Sequence, residues 1–503
     1  MIIKEQKRIA KQSNLPKITV LTLKEIIDQT VSVPDKKTMQ KVLDICALIK
    51  KQNGRPILIG GFVRDLVLKK FGQKSEVDFK DIDIEIYDIK PDVLESTLSE
   101  DESTTPNLVG KSFGVYKVGA NIDIALPRKD SKTGEKHSDF KTKFDPKLSF
   151  KIASSRRDFT CNALGLDPFT GEIIDEHGGL KDILEKKLKH VDNKKFSEDP
   201  LRVLRAMRFA SVLGFSIDTK TKTLCQQIDL RFLSASRIGE EWTKMLLKSN
   251  QPGLGLKIAK ELKILEKLHP EIYNLINLQQ PKQYHPEGDV FEHTSQSLDH
   301  AKKICNREKL SQADQLILML SVLCHDFGKV TTTKIEGEKI TAYGHASEST
   351  SFTKSFLRQI NFPLKDIPII LQLIKNHDAL VGVQTVTEKF VKKLSDKIKP
   401  ATIKDLSMVI ESDYMGRQPL NQLNALNIEK LLELIKLAKA MDVFYNKLEK
   451  LIEGKDLLKL GFKTGPHFKT ILNSVYNKQK EGKLKTKEEA ISFILKNYKH
   501  LMG

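Results

Sequence analysis

The sequence predicts an α+β protein in which a small α/β head precedes a long all-α remainder. Three runs in the first part of the chain, ILIGG, DIDIEIYDI and VYKVGANIDIALP, have the composition and alternation of strands, and a helix-like FVRDLVLKKFG follows the first. Beyond about residue 165, apolar residues recur with the helical 3.6-residue period, as in PLRVLRAMRFASVL and LILMLSVLCHDFG. The length of 503 residues also indicates several domains, since single cores rarely exceed about 250–300 residues.

The change from strand-like to helix-like patterns divides the chain into five predicted segments. Apolar residues recur at helical spacing at 36–51, in an otherwise polar N-terminal stretch. Polar loops are predicted at 99–107 and 130–137. The predicted segments are a partly helical extension at 1–50, the head at 51–165, a helical neck and body at 166–285, a second helical domain at 286–420 and a helical tail at 421–503.

The composition is that of a globular protein with a strong positive charge. Lysine and arginine number 84 against 65 aspartate and glutamate, and the net charge of +19 favours a polyanion such as nucleic acid as partner. A Lys-rich coding bias is the alternative explanation. The longest apolar run, 316–324, is too short for a bilayer, which takes about 20 residues. Without a secretory signal or a CxxC pair among five cysteines, we expect a cytoplasmic protein with no membrane segment.

Acidic residues alternate with isoleucines in the second strand-like run, KDIDIEIYDI. Asp81, Asp83 and Glu85 fall on one predicted strand face, where like charges raise one another's pKa unless a cation lies between them. Magnesium prefers carboxylate oxygens, and two carboxylates can hold two ions about 3.5–4 Å apart for phosphoryl transfer. The pattern therefore indicates Mg²⁺ on Asp81 and Asp83, with a solvent-facing strand edge as the alternative.

A Gly-Gly turn precedes these acids in the segment ILIGGFVRD. Gly60 and Gly61 allow backbone N–H groups to approach a phosphate without a Cβ in the way, and the helix that begins there adds its dipole. Arg64, one turn further on, can reach the same anion. The Gly-Gly pair alone is a weak indication, but together with Arg64 and the Asp-x-Asp run it predicts a site for nucleotide phosphates.

Four motifs in this order resemble the class II tRNA nucleotidyltransferase and bacterial poly(A) polymerase family, a branch of the polymerase-β-like nucleotidyltransferases. The Gly-Gly turn with Asp-x-Asp is followed by SSRRDFTCNAL at 154–164, DEHGGLKDI at 175–183 and EDPLRVLRAMRFA at 198–210. The resemblance implies a polymerase-β-like head followed by a neck and body that hold RNA. It also implies that Asp81 and Asp83 are the catalytic, metal-binding acids.

The same resemblance assigns the nucleotide contacts. Arg157 and Arg205 would meet the triphosphate, and Asp158 would bond the ribose 2′-hydroxyl and so select ribonucleotides. Asp199 and Arg202 would read the base edge of CTP or ATP, because an acceptor beside a fork of donors matches that edge. The full set of implied nucleotide-binding residues is Gly60, Gly61, Arg64, Arg157, Asp158, Asn162, Asp199, Arg202 and Arg205.

Two further acids have less defined roles. Glu85 shares the predicted face of the Asp-x-Asp pair but lies beyond the matched motif, and we interpret it as structural. Asp123, in the second alternating run NIDIALPR, is either a third metal-binding carboxylate or an ordinary strand acid.

A second set of metal-ligand residues lies in the helical part of the chain, in FEHTSQS, VLCHDFGK and ESDYMGR. Imidazole nitrogen and carboxylate oxygen together suit a divalent transition metal or Mg²⁺. His293, His325, Asp326 and Asp413 reproduce the His…His-Asp…Asp order of the HD phosphohydrolase superfamily, which they resemble. The resemblance implies attack of metal-bound water on a phosphoester, whereas a degenerate helical domain kept for tRNA binding is the alternative.

Two additional histidines leave the number of metal ions open. His345 and His377 fall where two-metal members of the HD superfamily carry extra ligands, so that the site is either mononuclear or binuclear. Lys329, in the HDFGK run, is placed to meet a phosphate.

Taken together, the resemblances imply addition of CMP and AMP from CTP and ATP to the acceptor end of tRNA, with an HD domain appended. A poly(A) polymerase shares the head motifs, and CC-only or A-only enzymes are further alternatives. Two readings from other classes are an RNA-binding scaffold with inactive sites, and a phosphohydrolase whose head is vestigial. The presence of every catalytic residue type favours the first interpretation. The sequence does not predict the oligomeric state.

Overall fold

The structure, a computed structural model, describes residues 18–29, 32–74, 77, 81–99, 115–132, 140–420, 422–445, 451–480, 483–484 and 486–502. Most of the two predicted loops at 99–107 and 130–137, and the start of the predicted extension, lie outside this description. The chain divides into two compact units. The first comprises Met1–Gln279 with 289–316 and 354–362, and the second comprises 280–288, 317–353 and 363–503. The predicted α+β class is confirmed.

The first unit contains a six-stranded sheet in the order β3-β4-β2-β1-β7-β8, in which β2 and β4 are parallel and the other neighbours antiparallel. Its strands, with the β5–β6 hairpin, are β1 (Arg55–Ile59), β2 (Ile82–Tyr87), β3 (Val115–Val118), β4 (Ile122–Ala125), β5 (Arg128–Lys132), β6 (Phe140–Phe144), β7 (Gly165–Leu166) and β8 (Ile173–Ile174). The accompanying helices are α1 (Leu23–Gln29), α2 (Val33–Lys51), α3 (Gly61–Lys70), α4 (Pro91–Ser99), α5 (Phe150–Ser154) and α6 (Gly179–Leu184).

Isoleucines form one face of the central strand β2. Ile82, Ile84 and Ile86 are fully buried, as the alternation of the sequence predicts. The opposite face of the strand is also covered toward its end, because Tyr87 packs with Ile57 and Ile59 of β1 in a small apolar cluster. The sheet therefore has two covered faces where the sequence pattern indicates only one.

Residues 18–29 and 32–50, which belong to the predicted extension, pack on the head. The backbone at Thr19 forms a β-bridge with Glu172, and the N–H of Val20 donates to the carbonyl of Gly171 at 2.8 Å. Helix α2 contacts β1 and α4. It begins at Val33, three residues before the predicted start, with a proline at the first helical positions, where a missing N–H costs nothing.

Two predictions of local structure are wrong. Residues 130–132, predicted as loop, belong to strand β5, where Asp130 pairs with Thr142 of β6. A hairpin ladder is made by main-chain groups, so that a polar sequence can form it without an apolar stripe. The helical periodicity of IEKLLELIKLAKAMDVFYNKLEKLI, at 428–452, predicts a helix through this run, but the helix that begins at Gln422 ends at Ala440. Asp442 adopts a left-handed φ of 55°, and the N–H of Val443 donates to the carbonyl of Ala438, which closes the helix end.

Helices continue the first unit beyond the sheet. Helix α8 buries Val203, Leu204 and Met207 on one side and carries Arg202 and Arg205 on the other. The helices are α7 (Asn193–Ser197), α8 (Leu201–Leu213), α9 (Thr219–Gln227), α10 (Ala235–Lys248), α11 (Pro252–Glu261), α12 (Ile264–Leu268), α13 (Pro270–Tyr273) and α14 (Val290–Arg307), with the short parallel pair β9 (Lys187–Leu188) and β10 (Ser216–Ile217).

Among the residues that the structure describes beyond this point, the regular elements are helices apart from one hairpin. Its elements are α15 (Gln312–Cys324), α16 (Lys329–Thr332), β11 (Lys334–Glu336), β12 (Lys339–Thr341), α17 (His345–Gln359), α18 (Ile367–Lys375), α19 (Glu388–Lys397), α20 (Ile403–Met415), α21 (Gln422–Ala440), α22 (Gly454–Lys459), α23 (His467–Lys480) and α24 (Lys487–Tyr498). Helices α22 to α24 enclose a core cluster of their own around Leu457, Ile471 and Ile494. Among the helices of the described residues, none is long and apolar enough to cross a membrane.

Close packing at Gly179 generates a prediction about stability. A Cβ at this first residue of α6 would lie 2.3 Å from the carbonyl oxygen of Thr160, in the turn that carries Asn162. Gly179→Ala is expected to lower the free energy of unfolding by about 1–3 kcal/mol, because backbone must move to admit the methyl group. Gly454→Ala is the control, since its Cβ would meet only Phe468 at 3.9 Å. Equal denaturation midpoints for both variants would contradict the packing argument.

Candidate active sites

A cleft of about 330 Å³ in the first unit brings the predicted nucleotide-binding residues together. All nine line it, although they come from three separate stretches of the chain. Asp83 of the Asp-x-Asp pair lines it as well, and three residues that the sequence analysis did not single out complete it. The lining consists of Gly60, Gly61, Arg64, Asp83, Arg157, Asp158, Asn162, Asp199, Leu201, Arg202, Arg205, Phe209 and Arg237.

The Gly-Gly turn lies directly against the Asp83 carboxylate. Gly60 has a left-handed φ of 80°, and a Cβ there would lie 2.8 Å from Oδ2 of Asp83. Both the conformation and the space therefore require glycine. Helix α3 begins at Gly61, so that its first N–H groups lie at the same end of the cleft.

Three carboxylates surround the start of β2. Asp83 is in parallel register with Asp123 of β4, and Asp81 immediately precedes β2 with a left-handed φ of 54°. Asp81 thus lies at the strand entry and not on the predicted strand face. Burial raises the pKa of Asp83 to about 6, with Arg157 lowering it and Asp123 and Asp81 raising it. A partly buried carboxylate between two others is a donor set that fits a divalent cation.

Glu85, the third acid of the run, does not belong to this group. It is fully buried and accepts hydrogen bonds from the Tyr87 hydroxyl at 2.5 Å and from the Arg156 guanidinium at 3.3 Å. Glu85 is also the largest favourable charge acting on Arg157, whose pKa burial lowers. The interpretation of Glu85 as structural agrees with these contacts, because Glu85 balances the charge of the adjacent Arg156 and Arg157.

Asp158 is the centre of a hydrogen-bonded chain across the cleft. Its Oδ1 accepts from the N–H of Phe159 and from Nδ2 of Asn162, at 2.8 and 3.0 Å. Its Oδ2 accepts from Nε of Arg205 at 2.7 Å, and a terminal nitrogen of the same guanidinium lies 2.6 Å from this oxygen. The Oδ1 of Asn162 in turn accepts from Arg64 at 2.8 Å. Burial alone would raise the pKa of Asp158, but Arg205 and Asn162 hold it at about 2, so that it remains an anion.

Asp199 and Arg202 line the cleft without bonding each other. Asp199 accepts from Arg237 of α10 at 3.2 and 3.3 Å. The guanidinium of Arg202 donates to the carbonyl oxygens of Lys195 and Arg156, at 2.7 and 2.5 Å. The sequence analysis missed Arg237, because a partner 38 residues from Asp199 leaves no local signal. It also missed Phe209, although that residue stands inside a matched motif.

The second unit brings together five of the predicted ligands of the second site. Ligand atoms of His325, Asp326 and His377 lie within 4.8 Å of one another. The Nε2 of His345 lies 3.4 Å from Oδ1 of Asp326 and 3.2 Å from Nε2 of His377. Asp413 is the fifth, with Oδ1 at 3.9 Å from Nε2 of His325. His293, the remaining predicted ligand, is buried on α14 in the first unit and stays a prediction.

The three histidines share one hydrogen-bonding arrangement. The Nδ1 atoms of His325, His345 and His377 lie 2.7, 2.8 and 2.7 Å from the backbone carbonyls three residues earlier. A carbonyl only accepts, so Nδ1 carries a proton, and the three Nε2 atoms lie 3.2, 3.4 and 3.9 Å from the carboxylate oxygens of Asp326. Burial, and then the neighbouring His325 and His345, lower the pKa of His377 to about 3, so that its ring is neutral. This donor set fits a divalent metal ion.

Two cations balance the acids of this site. Lys329 Nζ lies 2.7 Å from Oδ2 of Asp326 and donates to Oε1 of Gln280 at 3.1 Å. Arg417 donates to both oxygens of Asp413, at 2.9 and 2.6 Å. Lys329, which the sequence predicts to contact a phosphate, is therefore already paired with Asp326, a candidate metal ligand.

Comparison with known families matches three parts of the chain. Residues 57–189 match the poly(A) polymerase head domain, residues 214–275 match the probable RNA- and SrmB-binding site of polymerase A, and residues 290–444 match the HD domain. Nucleotidyltransferase and HD domains imply the use of divalent metal ions, in agreement with the two donor sets described above.

Relatives and solved structures agree with these matches. The multifunctional CCA protein of Pasteurella multocida is 31% identical over 77% of this chain and 90% of its own length, and that of Shewanella denitrificans is 31% identical over 73% and 85%. The Thermotoga maritima CCA-adding enzyme complexed with tRNA has the same fold, with a TM-score of 0.54 at 20% identity over 95% and 99% of the two chains. The predicted family is confirmed: the chain belongs to the class II tRNA nucleotidyltransferase and poly(A) polymerase family, among the multifunctional CCA proteins that carry an HD domain.

Proposed function

We propose that this chain adds CMP and AMP, from CTP and ATP, to the 3′ end of tRNA and so builds or repairs the CCA terminus. The proposal rests on one observation: all nine implied nucleotide-binding residues, together with Asp83, line the same cleft. The 31% identity with multifunctional CCA proteins supports the same activity. Poly(A) addition, and CC-only or A-only addition, would use the same cleft and are outcomes of the experiment below.

Asp81, Asp83 and Asp123 would hold divalent metal, for which we propose Mg²⁺. When bound, this ion supplies positive charge to the attacking 3′-hydroxyl and the departing pyrophosphate. The carboxylates orient it beside the Gly-Gly turn, where Gly60 leaves the space for a phosphate. Oxygen ligands at the strand entry and N–H groups at the helix start therefore face the same part of the nucleotide.

The arginines of the cleft would bind the triphosphate, and the acids would select the nucleoside. Arg157 and Arg205 carry the phosphate contacts, with Arg64 beside them. Asp158 would contact the ribose 2′-hydroxyl as an acceptor, because its pKa of about 2 keeps it an anion beside Arg205. Asp199 and Arg202 read the base edge.

The remaining chain would hold the RNA. A net charge of +19 attracts the tRNA backbone, and residues 214–275 match a probable RNA-binding family. We assign the head to 51–165, the neck and body to 166–285, the HD domain to 286–420 and the tail to 421–503. All five cysteines are buried and outside any disulfide, which supports a reducing compartment, the cytoplasm.

A second activity is proposed for the HD domain. A divalent transition metal or Mg²⁺ would be held by His325, His345 and His377 and by the carboxylates of Asp326 and Asp413, with His293 as a further ligand. Such an ion supplies an activated water for phosphoester hydrolysis. A phosphohydrolase on the same chain would remove cyclic or terminal phosphates that block extension of damaged tRNA ends.

The experiment that tests the principal activity is extension of a tRNA ending at its discriminator base. The protein and Mg²⁺ are incubated with CTP alone, ATP alone and both, and products are resolved at single-nucleotide length. Growth by two with CTP and by three with both is expected. Long tails with ATP alone would identify a poly(A) polymerase. No growth would favour the alternative in which the chain is a phosphohydrolase with a vestigial head.

Asp83→Asn is expected to separate chemistry from stability. CMP addition should fall by about 1,000-fold or more, because a carboxamide cannot balance a divalent ion. The pKa of Asp83 is raised in the folded state, so its ionisation reduces stability as pH rises from about 4 through 6. Without metal at pH 7, the variant should therefore melt about 2 °C higher than the parent. At pH 4, the variant and the parent should melt at the same temperature.

The control for this variant is Asp44→Asn, which changes an exposed acid on α2. It should leave both CMP addition and melting temperature unchanged. Persistence of CMP addition in Asp83→Asn would refute the assignment of the head.

His325→Ala is expected to separate the two activities. Hydrolysis of a 2′,3′-cyclic nucleotide should fall at least about 100-fold and metal content should decrease, while CMP addition stays within about twofold. His500→Ala removes an exposed histidine and serves as control. Loss of both activities in His325→Ala would indicate that the metal has a structural role.

A further inference from the structure

The ring of Phe209 is shared by guanidinium groups from two elements of the nucleotide cleft. Phe209 lies on α8, lines the cleft and is 7% exposed. The guanidinium carbon of Arg64, from α3, lies 5.2 Å from the ring centroid, and that of Arg205, from α8, lies 5.3 Å away. Both distances are within the range of about 6 Å in which a cation is attracted by the face of an aromatic ring.

The same two arginines are joined by hydrogen bonds on their other side. Arg64 donates to Oδ1 of Asn162, Nδ2 of Asn162 donates to Asp158, and Asp158 accepts from Arg205. The chain of hydrogen bonds and the ring of Phe209 thus connect Arg64 on α3 to Arg205 on α8 in two ways. Both arginines have long, flexible side chains that would otherwise lose rotamer freedom on binding an anion. These contacts order them before a ligand binds.

The third guanidinium at the ring fixes the ring itself. Arg208 lies 3.9 Å from the centroid, and its charge is balanced by the buried carboxylate of Glu241. The ring of Phe159 meets that of Phe209 edge-on, with 5.8 Å between centroids and 76° between planes. Phe209 is therefore surrounded by fixed groups and holds its orientation without a ligand.

We propose that Phe209 is a positioning residue, which holds Arg64 and Arg205 at the place where the triphosphate of the incoming nucleotide binds. This assignment rests on the proposed function and extends it, since it concerns the phosphates and not the base. Pyrophosphate, the inorganic product of the reaction, is the matching probe, because it has phosphates but no base or ribose.

The experiment compares Phe209→Leu with Phe215→Leu. Leucine keeps an apolar side chain but removes the aromatic face, and Phe215, 3% exposed just beyond the end of α8, is the matched buried control. Pyrophosphate affinity is measured by calorimetry with Mg²⁺, and KM and kcat for CTP and melting temperatures are measured in parallel. In Phe209→Leu, pyrophosphate affinity should fall and KM should rise by about tenfold, with kcat changed less. In Phe215→Leu, both should stay within about twofold despite a similar loss of melting temperature.

A further variant gives the result that would overturn the proposal. Phe209→Tyr keeps the ring and should restore pyrophosphate affinity to within about threefold of the parent. Equal pyrophosphate affinity in the parent and Phe209→Leu would refute the proposal, and a loss for CTP alone would show that the ring acts on the base. If Phe209→Leu does not fold, Phe209→Met takes its place. If the parent binds pyrophosphate but does not extend tRNA, the proposed function fails while the role of Phe209 is still measured.

Discussion

The ion pair between Asp158 and Arg205 joins two parts of the first unit that are 47 residues apart in sequence. Asp158 follows α5 near the sheet, and Arg205 stands on α8, the first long helix after it. The bond keeps Asp158 ionised although it is buried, with a pKa near 2. Asn162 and Arg64 extend the same chain to α3 and the Gly-Gly turn. Because the cleft lies between these elements, its shape depends on this charge pair.

Charge balance explains why the cleft holds many arginines and acids close together. Arg157 is buried beside Glu85 and Asp83, and Arg156 donates to Glu85. Both carboxylate oxygens of Glu85 thus have protein partners, Tyr87 and Arg156. Asp83, next to Asp81 and Asp123, has more neighbouring negative charge. The two acids of β2 thus differ in their surroundings. Asp83 remains suited to a cation, and Glu85 balances the charge of the arginines.

In the HD domain, contacts with the backbone arrange the candidate ligands. Three histidines each donate from Nδ1 to a carbonyl of their own turn, and their Nε2 atoms lie near one carboxylate, that of Asp326. Asp326 faces His345 through Oδ1 and Lys329 through Oδ2. The helices and turns that supply these carbonyls therefore set the ring orientations before any metal binds.

The sequence by itself determined the residue types of both sites, the burial of Ile82, Ile84 and Ile86, and the change from strands to helices. These features follow from short-range periodicity and from motifs contained within a few residues. Only the tertiary structure decided that Asp199 pairs with Arg237, that Glu85 is buried under Arg156, and that Phe209 lies between arginines of α3 and α8. It also decided that Asp81 precedes β2 with a left-handed backbone and that helix α21 ends at Ala440. The physical reason is that pairing of charges, and the conformation of a chain end, depend on groups that folding brings close from distant positions.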